Sequence, residues 1–274
     1  MTPVTMMLGR ILAIAQNTRK EAYRNRAFLV LVILGLVLNA TGWALAKLAV
    51  PSQQTKVIQD FGYFSVSIVS VLCAVLTGVI LLYKELDKKT IYTLLPKPVA
   101  RLEVVLGKFV GLVTLIAALT LGLGLCWIAS MGWQDALKVA GQPVVGECFK
   151  SLLLIGLEAM LVTSVALLFS SWTRPFLAGM FTFGYFLMGR CIFLLQEHLD
   201  AQNGALTKAG PIRAIAEAFT YVVPDLQTFN VSRELALGIP VPGDYLLASA
   251  GYATSFTAVF LVLAIYLFSR RDFV

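Results

Sequence analysis

Residues 83–108, YKELDKKTIYTLLPKPVARLEVVLGK, form a charge-dense interval between two apolar runs that are each long enough to cross a bilayer. Within this interval Ile91, Leu94 and Leu95 stand three and four residues apart, which predicts a short amphipathic helix with a small apolar stripe. The prolines that follow, up to Pro98, would end this helix. The interval is interpreted as a docking element for a soluble protein. The alternative is a solvated basic loop that only fixes topology.

The composition around the interval is that of an integral membrane protein. Of the 274 residues, 58% are hydrophobic, whereas soluble domains contain about 45–50%. The net charge of +7 does not indicate a nucleic-acid partner, because the lysines and arginines flank apolar runs, where they set the orientation in the bilayer.

Six apolar runs approach the length of about 20 residues that a membrane-crossing helix needs. They are residues 27–46, 61–83, 104–131, 152–169, 176–195 and 245–268. Within the third run, Gly107 and Gly111 form a GxxxG motif, which predicts close packing of this helix on a neighbour. The expected fold is all-α, with six transmembrane helices in a single domain over residues 1–274 and additional short helices on both sides of the membrane.

Two segments outside the six runs also have helical apolar periodicity. Residues 4–26 carry apolar side chains on one face and basic ones on the other, which predicts an interfacial helix at the level of the headgroups. Residues 196–244 form the longest connection, and their pattern predicts a small extracytoplasmic cap with helices at 212–223 and 230–237.

Basic residues are distributed unevenly between the two sides of the six spans. Of the 22 lysines and arginines, 14 lie in the two terminal tails, residues 84–108 and the turn at 170–175. The positive-inside rule therefore places both termini in the cytoplasm. The protein is expected to be a multi-pass protein of the (inner) cell membrane. Cys148 and Cys191 both fall toward the outside, so a disulfide between them stays open.

The sequence carries no recognisable catalytic or metal-binding motif. Its one histidine excludes a two-histidine metal site, and it contains no GxSxG nucleophile elbow. Neither enzymatic activity nor a cofactor is expected of this chain. Two ionisable residues, Glu158 and Arg190, lie within spans, at similar depth on antiparallel helices. They are expected to form an intramembrane charge pair, which either fixes the helix register or contacts a substrate.

Several motifs match those of a known family. The central block comprises Glu85, Thr90, Leu94, Leu95, Pro98 and Arg101, followed by Gly107 and Lys108. Further matches are the interfacial helix, residues 224–230 and residues 270–273, whereas Lys89 departs from the glycine that usually precedes Thr90. With these residues the chain resembles the permease subunits of type-2 ABC exporters. Within them it resembles the single-domain, six-span group that includes the permease of the nitrous-oxide-reductase maturation exporter.

The resemblance implies a homodimer of this chain with two copies of an ABC ATPase docked below, which bind ATP and Mg. The ATPase-coupling residues would be Glu85, Thr90, Ile91, Leu94, Leu95, Pro98 and Arg101. The short helix within residues 83–108 would be a cytoplasmic coupling helix, and residues 4–26 an elbow helix. The substrate would pass between the protomers along spans 1, 2 and 5.

Three matters stay open at this stage. The alternative function is an ATPase-independent secondary transporter or membrane scaffold subunit. Such carriers usually show several intramembrane carboxylates, and Glu158 is the only one well inside a span. An extracytoplasmic accessory protein is a further candidate partner. The chemistry of the substrate has no signature in the sequence.

Overall fold

The computed structural model describes residues 3–50, 53–87, 101–134, 136–139, 142–200, 218, 220 and 222–270. Its helices are α1 (Pro3–Tyr23), α2 (Arg26–Leu48), α3 (Gln54–Asp87), α4 (Arg101–Trp133), α5 (Val145–Trp172), α6 (Pro175–Asp200), a 3-10 helix (Gln227–Phe229), α7 (Ser232–Leu237) and α8 (Gly243–Arg270). Within the described residues six helices, α2 to α6 and α8, are long and apolar enough to cross a membrane. The predicted all-α fold with six spans is therefore confirmed.

The spanning helices extend beyond the apolar runs that predicted them. α3 covers Gln54–Asp87 where the apolar run covers 61–83, and α4 covers Arg101–Trp133 where it covers 104–131. A helix satisfies its own backbone hydrogen bonds, so it can continue into polar sequence after the apolar run has ended. The polar interval predicted at 84–108 is correspondingly shorter.

The predicted coupling helix falls outside the described residues. Five of the predicted coupling residues lie there: Thr90, Ile91, Leu94, Leu95 and Pro98. The other two flank the gap, with Glu85 in the last turn of α3 and Arg101 at the start of α4.

The first helix packs lengthwise on the N-terminal half of α4, through the GxxxG motif. A Cβ atom at Gly107 would lie 2.7 Å from Cβ of Ile14, and one at Gly111 would lie 2.6 Å from the carbonyl oxygen of Ala15. Glycine at these two positions therefore allows the backbones to approach closely. The predicted elbow helix is thus Pro3–Tyr23, and the third span holds it.

Two charged residues predicted to lie in the polar interval are instead buried in α4. Glu103 is 5% exposed and Lys108 is 1% exposed. Oε2 of Glu103 lies 3.5 Å from Nη1 of Arg10 on α1. The interval available for docking is therefore shorter than the sequence indicates, because its last residues form the first turns of a packed helix.

The fifth helix, α5, occupies the centre of the bundle. It contacts α3, α4, α6 and α8, and its buried residues extend from Cys148 to Ser171. Four of its buried hydroxyls bond within the helix; for example, Oγ1 of Thr163 donates to the carbonyl of Ala159 at 2.6 Å. The fifth, Oγ of Ser170, donates to the carbonyl of Val79 on α3 at 3.4 Å. Burial of these polar groups therefore costs little, and α5 can pack on all four neighbours.

The connection between α6 and α8 folds back onto the bundle. Its 3-10 helix and α7 pack on α3, α5 and α6. The backbone N–H of Val241 donates to the carboxylate of Glu147 on α5 at 2.9 Å, and the carbonyl of Val241 accepts from Lys150 at 2.7 Å. The described part of the predicted cap is therefore an ordered layer, with its second helix at Ser232–Leu237. Most of the helix predicted at 212–223 lies outside the described residues.

A short strand pairing between α4 and α5 was not predicted. β1 (Lys138–Val139) pairs antiparallel with β2 (Gln142–Pro143). Strands this short carry too few alternating residues to be detected from apolar periodicity.

Candidate functional site

Glu158 and Arg190 meet between α5 and α6. Nη2 of Arg190 lies 2.9 Å from the Glu158 carboxylate and also donates to Oγ of Ser67 on α3 at 3.1 Å. The Glu158 side chain is fully buried, whereas that of Arg190 is 21% exposed. The guanidinium therefore connects three helices and presents part of its surface to the space beside α3.

That space is a cleft of about 730 Å³ at one end of the bundle, lined by charged and apolar side chains. Its ionisable and hydrogen-bonding lining includes Lys56, Asp60, Tyr63 and Ser67 from α3, Arg190 from α6, and Arg233 from α7. Apolar side chains such as Phe64 and Phe186 complete the wall. We refer to this space as the basic cleft, because its lining contains three cations and one anion.

Tyr63 bonds the connection between α6 and α8 to α3 at the edge of the basic cleft. Its hydroxyl donates to the carbonyl of Phe229 at 3.1 Å and accepts from the backbone N–H of Val231 at 3.4 Å. Its ring stands edge-on to Trp127 of α4, with 6.4 Å between the centroids. These contacts fix the position of α7 and of Arg233 relative to α3.

Gly189 allows the same connection to pack closely on α6. A Cβ atom here would lie 2.8 Å from the side chain of Leu226, and the backbone N–H of Leu226 donates to the carbonyl of Gly189 at 3.0 Å. Glycine therefore lets the segment before the 3-10 helix lie directly on α6 beside Arg190. Residues 224–230, one of the matched motifs, thus help to build the wall of the basic cleft.

An apolar groove continues from the basic cleft along the same two helices. It measures about 550 Å³ and is lined by residues of α3 between Leu72 and Ile80 and of α6 between Pro175 and Phe183. The rings of Phe183 and Phe186, 6.1 Å apart, lie where the cleft and the groove meet. We refer to it as the α3–α6 groove.

The structure therefore brings Glu158 and Arg190 together, as the sequence suggested, and adds residues that sequence analysis missed. Lys56, Asp60, Tyr63 and Ser67 follow one another at intervals of three and four, which is a polar stripe on one helix face. That pattern could have indicated the cleft. Nothing in the sequence connects the stripe to Arg233, because the contact is made by the fold of the outer connection.

No cysteine is among the residues that line the basic cleft. Cys148 is buried, Cys191 is exposed and both are free thiols. In the part of the chain that the structure describes, no three His, Cys, Asp or Glu side chains group in a way that could hold a metal ion.

One known protein family matches most of the chain. A family model described as ABC-2 family transporter protein matches residues 12–273. The chain belongs to this family. It is a multi-pass membrane permease of an ABC transporter, and the family implies an ABC ATPase as partner. Members of the family are transmembrane components that are generally not themselves catalytic. No curated protein sequence matches the chain.

Within the ABC-2 family, the narrower similarity to the nitrous-oxide-reductase maturation exporter stays a prediction. The match covers both the interfacial helix from residue 12 onward and the residues around the basic cleft. The site thus lies within the permease fold itself.

Proposed function

We propose that this ABC-2 permease works as a homodimer in an exporter of the inner cell membrane, with the substrate path between the two copies. The observation that supports this most directly is the position of the basic cleft. It lies between α3, α6 and α7, and α6 is, together with α2, the least buried of the six candidate spans. In a homodimer joined along this side, two such clefts would face each other.

We further propose that two ABC ATPase subunits dock on the cytoplasmic side, where they bind ATP and Mg and transmit force through residues 85–101. The packing of α1 on α4 supports this arrangement. The start of α4 follows the coupling segment directly, and α1 is fixed to it by Gly107 and Gly111. Movement of the segment would therefore be passed to both helices together.

The proposed ATPase contact predicts a large effect of charge within the apolar stripe. Leu94→Asp or Leu95→Asp would place a carboxylate in a buried contact and should weaken ATPase docking by about 2 kcal/mol or more, about 30-fold in affinity. Lys88→Asp is the control and should change docking much less. The measurement is pull-down of the ATPase together with ATP turnover in nanodiscs. If both leucine variants bind and turn over like the parent chain, the segment only fixes topology and the alternative of an ATPase-independent transporter or scaffold gains support.

The proposed orientation predicts where introduced cysteines are labelled. Lys88→Cys should react with a membrane-impermeant reagent only from the cytoplasmic side, and Asn203→Cys only from the outside, because the basic segments face the cytoplasm. Cys126 and Cys191 are exposed, so both should first be replaced by alanine to remove background labelling. Labelling of both positions from the same side would contradict the orientation.

A further inference from the structure

The basic cleft and the α3–α6 groove form one amphipathic surface. On α3, the polar lining from Lys56 to Ser67 is followed by the apolar lining from Leu72 to Ile80. On α6, Arg190 and Phe186 are followed by Phe183 and the residues down to Pro175. The same two helices thus offer charged groups at one end and hydrocarbon at the other.

We propose that this surface binds the substrate, and that the substrate is an amphiphile with an anionic headgroup and one hydrocarbon chain. The headgroup lies in the basic cleft and the chain lies in the α3–α6 groove. This inference rests on the proposed function and adds the substrate class to it.

The charges of the basic cleft select the sign of the headgroup. Lys56, Arg190 and Arg233 line it against the single carboxylate of Asp60, and Glu158 is buried behind Arg190 outside the lining. Cations next to a low-dielectric region are stabilised by an anionic partner, and guanidinium groups bind phosphate and carboxylate oxygens with two parallel hydrogen bonds. Because Glu158 already pairs with Arg190, the lining keeps an excess of one cation, which an anionic headgroup would neutralise and a cationic headgroup would oppose.

The length of the groove fits a single hydrocarbon chain. From Pro175 to Phe183, α6 rises about 12 Å at 1.5 Å per residue, which is a little less than half of the hydrocarbon core of about 30 Å. The wall there is apolar on both helices, with Leu76 of α3 and Met180 of α6 partly exposed toward the groove. A chain that enters from one leaflet could therefore lie along the groove over its whole length.

The experiment is photo-crosslinking of the purified chain in zwitterionic nanodiscs with dodecyl phosphate that carries a diazirine in its chain. Mass spectrometry should locate the label on α3 between Leu72 and Ile80 or on α6 between Pro175 and Phe183. Unlabelled dodecyl phosphate should compete at least about tenfold better than dodecyltrimethylammonium, dodecanol or inorganic phosphate. Labelling of α8 instead, or equal competition by the cationic amphiphile, would overturn the proposal.

Matched variants separate the headgroup contact from a general loss of charge. Arg233→Gln should reduce labelling about tenfold, because Arg233 lines the basic cleft. Lys47→Gln removes a cation at the same end of the bundle, on α2, where it lies over the ring of Trp43, and should change labelling less than about twofold. Equal effects of the two variants would refute the headgroup site.

A second pair of variants tests the chain site. A Cβ atom at Gly179 in the groove or at Gly122 on α4 meets no atom within 4 Å, so leucine fits the fold at both positions. Gly179→Leu should fill the groove and reduce labelling about tenfold, whereas Gly122→Leu should leave it within about twofold. If Gly179→Leu instead weakens the homodimer in native mass spectrometry without changing the labelling, a second copy of the chain occupies the groove and the proposal fails.

The two proposals fail in different ways. A complex that binds the ATPase and hydrolyses ATP, but shows no selective labelling, would support the exporter function and contradict the proposed substrate class. Selective labelling of a chain that binds no ATPase would support the amphiphile site and contradict the exporter function.

Discussion

Replacing Glu158 by alanine should lower the midpoint of thermal unfolding in detergent by about 6–12 °C, which corresponds to about 3 kcal/mol. The variant leaves the Arg190 guanidinium with Ser67 as its remaining partner at the described contact, next to a cavity where the carboxylate was. Loss of one partner of a buried ion pair is costly because the other charge stays desolvated.

The burial of the two side chains predicts the order of stability among the variants of Glu158 and Arg190. Arg190 is partly exposed and can turn toward the basic cleft, whereas Glu158 is fully buried and cannot reach water without a change in the fold. Arg190→Ala should therefore destabilise at least as much as Glu158→Ala. Removal of both should be milder than either single change by about 1–2 kcal/mol, because no unpaired charge is left.

The control for this series is Asp244→Ala, at the exposed start of α8. It should change stability by less than about 0.5 kcal/mol. Losses that simply add in the double variant would show that Glu158 and Arg190 act independently. ATP-dependent transport measured well below the unfolding midpoints of these variants would distinguish a structural pair from a substrate contact, since only loss of a substrate contact should lower transport by protein that is still folded.

The number of spanning helices could be predicted because bilayer thickness fixes the length of an apolar run. Their ends could not be predicted in the same way. Gln54 and Asp60 belong to α3 although they are polar, and Ile58 between them is buried by packing within the protein. Apolar length therefore counts spans well and places their ends poorly.

The GxxxG motif illustrates a second limit. Its sequence predicts that some helix approaches Gly107 and Gly111 closely, but small residues do not specify what fills the space above them. The structure places α1 there, with Ile14 and Ala15. The partner is determined by the long-range contact between the N-terminal helix and the third span, which no local pattern encodes.

The candidate site could also be predicted only in part, because most of its residues are brought together by long-range contacts. Glu158 and Arg190 stand out because ionisable residues inside spans are rare and costly, and their depths could be compared by counting residues. Lys56 and Asp60 lie near a helix end, where charge is ordinary, and Arg233 lies in a connection. Only the fold shows that these residues line one cleft.

Trp127 should contribute strongly to the stability of that cleft, through packing and one hydrogen bond. It is fully buried on α4, its Nε1–H donates to the carbonyl of Ile58 at 3.1 Å, and its ring lies edge-on to Tyr63. The indole also fills the space over Gly62, where a Cβ atom would lie 1.9 Å from Cδ1 of the ring. Trp127 thus holds the end of α3 that carries Lys56, Asp60 and Tyr63.

Trp127→Ala should therefore destabilise the protein by about 3 kcal/mol, at the lower end of the range for Trp→Ala in a packed core, because an unfolded helix in a micelle still shields the indole from water. Trp133→Ala is a matched control on the same helix. Its side chain is 82% exposed, and the change should stay within about 0.5 kcal/mol. Unfolding midpoints in detergent measure both. If the two variants unfold alike, Trp127 does not hold the end of α3 that carries Lys56, Asp60 and Tyr63.

If Trp127→Ala is destabilised as expected, it should also lose dodecyl phosphate labelling, because the α3 side chains beside the headgroup would no longer be held in place. The indole itself is not among the residues that line the basic cleft.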